Sequence, residues 1–196
     1  MTDIDVAISG GGPVGLCLAL LLARKGIAVQ VFEAEPDVSE DLRASTFHPP
    51  TLDMLDTLGI TETLIGQGLM CPHWQVRMHP SGDRAVFDLS VLSDETAHPY
   101  RLQCEQWKLS RALLARLSET LGAQVHFGAE VTAADQDADG VTFTLSDGDG
   151  QRQVRARFGV GADGSRSALR EAMGLSLEGE TFPETTILAT TTFPFE

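Results

Sequence analysis

Apolar positions along the chain change their period several times, and each change predicts an element. Residues 4–8 are short and β-branched, with glycines just beyond them, so they predict a buried strand. Residues 16–25 are apolar on nearly every face and stop at Gly26, which predicts a buried helix. Residues 27–32 predict a second strand closed by Glu33. A strand-helix-strand unit of this kind is a right-handed crossover between parallel strands. Residues 37–40 form an acidic loop, and residues 50–58 predict a helix ended by Gly59. The period then drops to two: residues 74–78 and 85–87 flank the turn sequence Pro80-Ser81-Gly82-Asp83 and predict an inserted hairpin. A helix is predicted over 105–121, with Leu109, Leu113, Leu114, Leu117 and Leu121 at spacings of three and four. Strands are predicted at 123–127, 130–135, 141–145 and 152–160, a short helix at 167–173, and strand composition returns at 185–195.

Composition narrows the function classes. The 196 residues hold 14 Lys plus Arg against 28 Asp plus Glu, a net charge of −14. An anionic chain is a poor partner for nucleic acid or an acidic membrane surface. Hydrophobic residues make up 42%, too many for a disordered acidic chain. Cys17, Cys71 and Cys104 are few, odd in number and far apart, which suits reduced thiols and predicts a cytoplasmic protein. The longest apolar run, residues 14–23, is too short to span a bilayer. Cys71-Pro72-His73 has no matching ligand pair for zinc, and no metal site is expected. Neither a G-x-S-x-G elbow nor a phosphate-binding G-x-x-x-x-G-K-[ST] loop is present.

The chemistry-bearing segment is Gly10-Gly11-Gly12-Pro13-Val14-Gly15, between the first predicted strand and helix. In such a turn Gly10 permits the tight bend, Gly12 admits a pyrophosphate to the backbone, and Gly15 lets helix and strand pack closely. Pro13 suits the first helical turn. The helix N-terminus offers free N–H groups and a positive dipole end to phosphate. Glu33, with Ala34 beside it, lies 18 positions after Gly15, where a carboxylate can accept hydrogen bonds from a ribose diol. The glycines alone leave NAD and FAD both open.

Three further segments separate them: Arg43-Ala44-Ser45, Gln106 at the start of the leucine-rich helix, and the run from Gly159 to Arg170 with Asp163-Gly164 at its centre. With the glycine turn, this set resembles the FAD-dependent, NAD(P)H-using aromatic-ring monooxygenases typified by para-hydroxybenzoate hydroxylase, from Ile4 to about Met173. The resemblance implies an α/β fold: a Rossmann-like FAD-binding domain with a parallel central sheet and a β-meander, followed by the start of a β-rich substrate-binding subdomain. It divides the chain into a discontinuous FAD-binding domain (1–72 and 99–180) and a partial substrate subdomain (73–98 and 181–196). It implies that Gly10 to Gly15 hold the FAD pyrophosphate and Glu33 the adenosine ribose. Arg43, with Ala44 and Ser45, would lie by the pyrophosphate and the flavin approach. Gln106 would meet the ribityl or phosphate region, the Val131 backbone the adenine, and Asp163-Gly164 both FAD and the pyridine nucleotide. His48 is read as structural. Arg166 and Arg170 are read as helix supports.

The implied reaction is reduction of FAD by NADPH or NADH, uptake of O2, and transfer of one oxygen atom from a flavin C4a-hydroperoxide to a small aromatic substrate. The cofactor carries that chemistry, so no catalytic side chain is named. The family's later Gly-Asp-Ala motif is missing from the 196 residues, so the chain reads as truncated, an N-terminal part. Two alternatives stand beside this one: a related FAD oxidoreductase of the geranylgeranyl-reductase type, and a catalytically incompetent FAD-binding fragment.

Overall fold

The computed structural model of the chain describes residues 4–41, 44–185 and 191–193. Strand β1 (Ile4–Ser9) runs into helix α1 (Pro13–Ala23), and strand β2 (Val29–Glu33) follows. Next come β3 (Thr46–Phe47), α2 (Pro49–Asp56), α3 (Thr61–Ile65) and β4 (Leu69–Cys71). Strands β5 (His73–Arg77) and β6 (Arg84–Asp88) form the hairpin, and a 3-10 turn covers Leu89–Leu92. The chain continues through β7 (Arg101–Gln103), α4 (Gln106–Ser118), β8 (Ala123–Phe127), β9 (Glu130–Asp137), β10 (Gly140–Asp147) and β11 (Gly150–Gly161). A 3-10 turn at Gly164–Arg166 leads into α5 (Ala168–Ala172).

The main sheet has the order β8-β2-β1-β11-β10-β9. Its first four strands are parallel, and β11, β10 and β9 are an antiparallel meander. This is the parallel sheet with a β-meander that the sequence implied. Period-two alternation divides the strands between two cores. Val6, Ile8, Val29 and Val31 face α1, α2 and α4, packing with Leu16, Leu20, Leu52 and Leu113. Ala7 and Phe32 face the other side, with Val131, Phe143, Leu145 and Leu169. Helix α1 is apolar almost all round because it is wedged between the sheet and α4.

Several expectations are corrected. Helix α4 stops at Ser118, so Leu121 lies beyond it and is 93% exposed. The chain turns there through Gly122, whose φ of 87° no leucine-bearing helix could continue into. Thr185 and residues 191–193, expected in a strand over 185–195, carry none; residues 186–190 and 194–195 of that range lie outside the described residues. The small sheet β3-β7-β4 was not anticipated, and neither was α3. Its strands are two or three residues long, too short to show a period.

Among the described residues no helix is long and apolar enough to cross a membrane.

Candidate functional site

The carboxyl ends of β1 and β2 and the start of α1 meet in one place, where open parallel sheets bind ligands. Gly10 has φ of 103°, outside the range a side chain tolerates, and its N–H donates to the Phe32 carbonyl at 2.8 Å. A Cβ at Gly10 would press into the Ala162 carbonyl and come within 2.8 Å of the Asp163 Cα. The tight turn assigned to Gly10 is therefore also a contact with the end of β11. A Cβ at Gly15 would strike the Gly10 carbonyl oxygen, so this glycine sets how closely α1 approaches the strand. Gly12 differs from both: nothing lies within 4 Å of its added Cβ, and its φ of −71° needs no glycine. No side chain caps α1, leaving its first-turn N–H groups without a side-chain acceptor. Open space, an uncapped positive helix end and exposed Val14 together suit a phosphate group.

Glu33 closes the other end of the turn. Its Oε2 accepts from the Gly11 N–H at 2.6 Å, and its Oε1 accepts from the Glu35 N–H at 3.0 Å. The carboxylate is thus oriented by the backbone, with lone pairs left for further donors. Ala34 is exposed beside it. Glu33 opens onto a cleft of about 120 Å³ that Gly11, Gly12, Pro13 and Gln106 also line. Glu35, Asp37 and Asp41 line it too, so the cleft is acidic. Arg111 of α4 offsets part of this charge: its guanidinium forks onto Asp37 at 2.7 and 2.9 Å and holds that carboxyl below its ordinary pKa. Such an acidic cleft receives hydroxyl donors better than phosphate.

Gln106 is the first residue of α4, and its N–H donates to the Ala44 carbonyl at 2.9 Å. The Ser45 carbonyl accepts from Cys104 at 2.8 Å. These bonds carry the β3–β7 pairing onward and bring Ala44, Ser45 and Gln106 together. Arg43 lies outside the described residues. Asp163 follows β11, packed against Gly10, and its Oδ2 accepts from the Leu169 N–H at 3.3 Å. Gly164 beside it has φ of 79°. Val131 does not line the cleft. Its side chain is buried in the second core, so only its backbone is left to meet a ligand. Arg170 donates to the Ser165 carbonyl at 3.0 Å, a helix support as expected. Among the described residues no group of His, Cys, Asp and Glu could hold a metal ion.

Sequence reasoning missed Ser110, Trp107 and Phe127 as cleft residues. Ser110 carried a signal: it is a polar residue one helical turn after Gln106, on a helix whose next turns are leucine. A second and larger cavity, of about 630 Å³, is lined by His48, Pro49, Pro50, Trp74, Leu89, Leu92 and Arg101 among others.

Comparison with known proteins points the same way. Residues 3–193 match the family described as FAD binding domain. Para-nitrophenol 4-monooxygenase of Pseudomonas sp. (strain WBC-3) is 38% identical over 195 residues, covering 98% of this chain and 48% of that protein. The crystal structure of p-nitrophenol 4-monooxygenase PnpA from Pseudomonas putida DLL-E4 superposes with a TM-score of 0.88 at 35% identity, over 93% of this chain and 46% of that one. A ternary complex of aklavinone-11 hydroxylase with FAD and aklavinone gives a TM-score of 0.75 at 29% identity, over 89% of this chain and 36% of that one. The chain therefore spans less than half the length of each of these relatives.

Proposed function

The chain belongs to the FAD binding domain family of the flavin-dependent aromatic monooxygenases, and from that premise we propose that it holds the flavin of an NAD(P)H-dependent enzyme that places one atom of O2 on a small aromatic ring. The observation that carries this reading is the contrast within the glycine turn. Gly10 and Gly15 are closed by neighbouring backbone, and Gly12 alone faces open space at the uncapped start of α1.

In this reading the α1 N-terminus, with Gly11, Gly12, Pro13 and Val14, binds the pyrophosphate. Glu33, beside Ala34, accepts hydrogen bonds from the adenosine ribose, and the Val131 backbone meets the adenine. Gln106, Ala44 and Ser45 take the flavin side of the dinucleotide, with Arg43 supplying positive charge to the phosphates. Asp163 and Gly164 approach the ribityl chain from the end of β11. When bound, FAD supplies the redox chemistry and the activation of O2, and the protein positions it and excludes water. NADPH or NADH serves as reductant. A phenol is the substrate class favoured, because para-nitrophenol names the substrate of the relative that this chain matches over 98% of its length. The protein works in the cytoplasm.

The test is FAD addition to the purified chain, followed by gel filtration and the absorbance of the retained flavin. About one flavin per chain is expected. A folded protein that stays colourless overturns the reading. NAD(P)H oxidation stimulated by a phenol and matched by O2 uptake separates a monooxygenase from a reductase of C=C bonds, which consumes no O2.

A further inference from the structure

The loop after β2 forms one lip of the dinucleotide cleft, through Glu35, Asp37, Val38, Ser39 and Asp41. The first turns of α4 form the facing lip, through Gln106, Trp107 and Ser110. The start of the loop is tied to the end of the sheet, where the Glu35 carbonyl accepts from the Gly128 N–H at 2.9 Å. Past that point, no backbone hydrogen bond joins residues 36–40 to another element among the described residues. Residues 35–41 also carry four carboxylates in seven positions, whose repulsion favours an open loop.

Arg111, the residue after Ser110, joins the two lips. Its Nη1 and Nη2 donate to Asp37 Oδ1 and Oδ2 at 2.7 and 2.9 Å, and Nη2 reaches Glu40 Oε1 at 3.5 Å. Asp37 is oriented for this fork, because its Oδ1 also accepts from the Val38 N–H at 2.7 Å. The pair stands in solvent, with 41% of the Arg111 side chain and 59% of the Asp37 side chain exposed. A pair in water adds little to the stability of the whole fold. Its effect falls on the loop, which it orders before a ligand arrives, so that less conformational entropy is lost on binding.

We propose that Arg111 is a positioning residue for the flavin cofactor: through its fork onto Asp37 it holds the 35–41 loop against α4 and slows the release of FAD from the adenosine end of the cleft. The inference rests on the monooxygenase reading, and adds to it a residue that acts through Asp37 rather than on the cofactor. A field effect of the same two charges has a different signature. FAD carries an anionic pyrophosphate, so on charge alone the loss of Arg111 weakens binding and the loss of Asp37 strengthens it. A clamp is broken from either side, so both losses weaken binding.

The test is the rate of FAD release from the loaded chain, followed by flavin fluorescence on dilution, in the wild type, Arg111→Met, Asp37→Asn and the double variant. Asn keeps the acceptor for the Val38 N–H and removes the charge. Each single variant is expected to release FAD about 3- to 5-fold faster, and the double variant no faster than either. Arg111→Lys should fall between the wild type and Arg111→Met, because it restores the charge without the fork. Release from Asp37→Asn at the wild-type rate or more slowly overturns the proposal, as does a double variant whose effect is the product of the two singles. Hydrogen exchange at the Val38 amide gives a second reading in the FAD-free chain. It should quicken in Arg111→Met, and unchanged exchange overturns the clamp. A wild-type chain that retains no flavin overturns the monooxygenase reading and this inference together. A wild type that retains flavin, beside an Asp37→Asn variant that releases it no faster, overturns the inference alone.

Discussion

Where residues 10–15 meet the end of β11, an added methyl group has no room at Gly10 or Gly15. On the β5–β6 hairpin every residue is exposed, with Val76 at 41%, Val86 at 56% and Phe87 at 44%. The two regions hold their shapes by different means. The glycine turn is set by backbone pressed on backbone across β1, α1 and β11. The hairpin is set by its own ladder and by local stacking, chiefly Trp74 on Phe87 with ring centres 4.3 Å apart. The difference shows where a ligand site can be read from sequence. A dinucleotide needs backbone at close range, so its site is written in glycines. The apolar cavity is shaped by side chains from distant segments, and no local pattern announces it.

The largest effect is expected at Gly15. Gly15→Val drives a branched side chain into the Gly10 carbonyl, and denaturant unfolding should show a loss of about 3 kcal/mol or more, with FAD binding abolished. A stable Gly15→Val protein would break the contrast at its firm end. Gly12→Ala sharpens it, because a methyl fits the fold there but occupies the open space proposed for the phosphate. Stability should change by less than about 1 kcal/mol, while FAD affinity falls about 10-fold or more in a fluorescence titration. Unchanged FAD affinity in that variant would remove the phosphate site from Gly12. Glu33→Gln weakens the bonds to Gly11 and Glu35, with an expected cost of about 1 kcal/mol in thermal unfolding.

At the hairpin, Val86→Thr should change stability by no more than about 0.5 kcal/mol, as for other exposed positions. A larger loss would mean that this strand is covered in solution. The smallest effect is a pH dependence beside the cavity. Hydrogen bonds from His98 and then Thr96 hold the Asp53 carboxyl below its ordinary pKa. A depressed carboxylate contributes stability above its unfolded pKa of about 3.9, and that contribution is lost as pH falls through the lower folded value. Asp53→Asn should therefore flatten the acid limb of the melting-temperature profile, and an unchanged profile would sever the link between Asp53 and the 96–98 segment.

Much of the fold could be read from local period. The strand-helix-strand start, the leucine stripe of α4 and the meander strands each repeat often enough to show two or 3.6 residues per cycle. The β3-β7-β4 sheet could not be read that way. Thr46 and Gln103, which pair in it at 2.9 Å, are 57 positions apart, and each strand is shorter than one informative window. At the site, the glycines and Glu33 were visible, but the hydrogen bond from Gly11 to Glu33 was not. Leu121 misled because a helical stripe does not reveal where the backbone leaves the helix.

By itself, the sequence determined the order of the parallel unit, the glycine turn, the acidic residue at the end of β2 and the likeness to FAD-dependent monooxygenases. These are properties of adjacent residues, whose backbone freedom and periodicity act locally. Only the tertiary structure decided that Gly10 is closed in by Ala162 and Asp163 and that, within the turn, Gly12 alone faces free space. It also decided that Pro49, Pro50, Leu89 and Leu92, from separate segments, line one largely apolar cavity. Those facts depend on which distant atoms fill the space around a residue, and excluded volume between remote segments leaves no periodic trace in the chain.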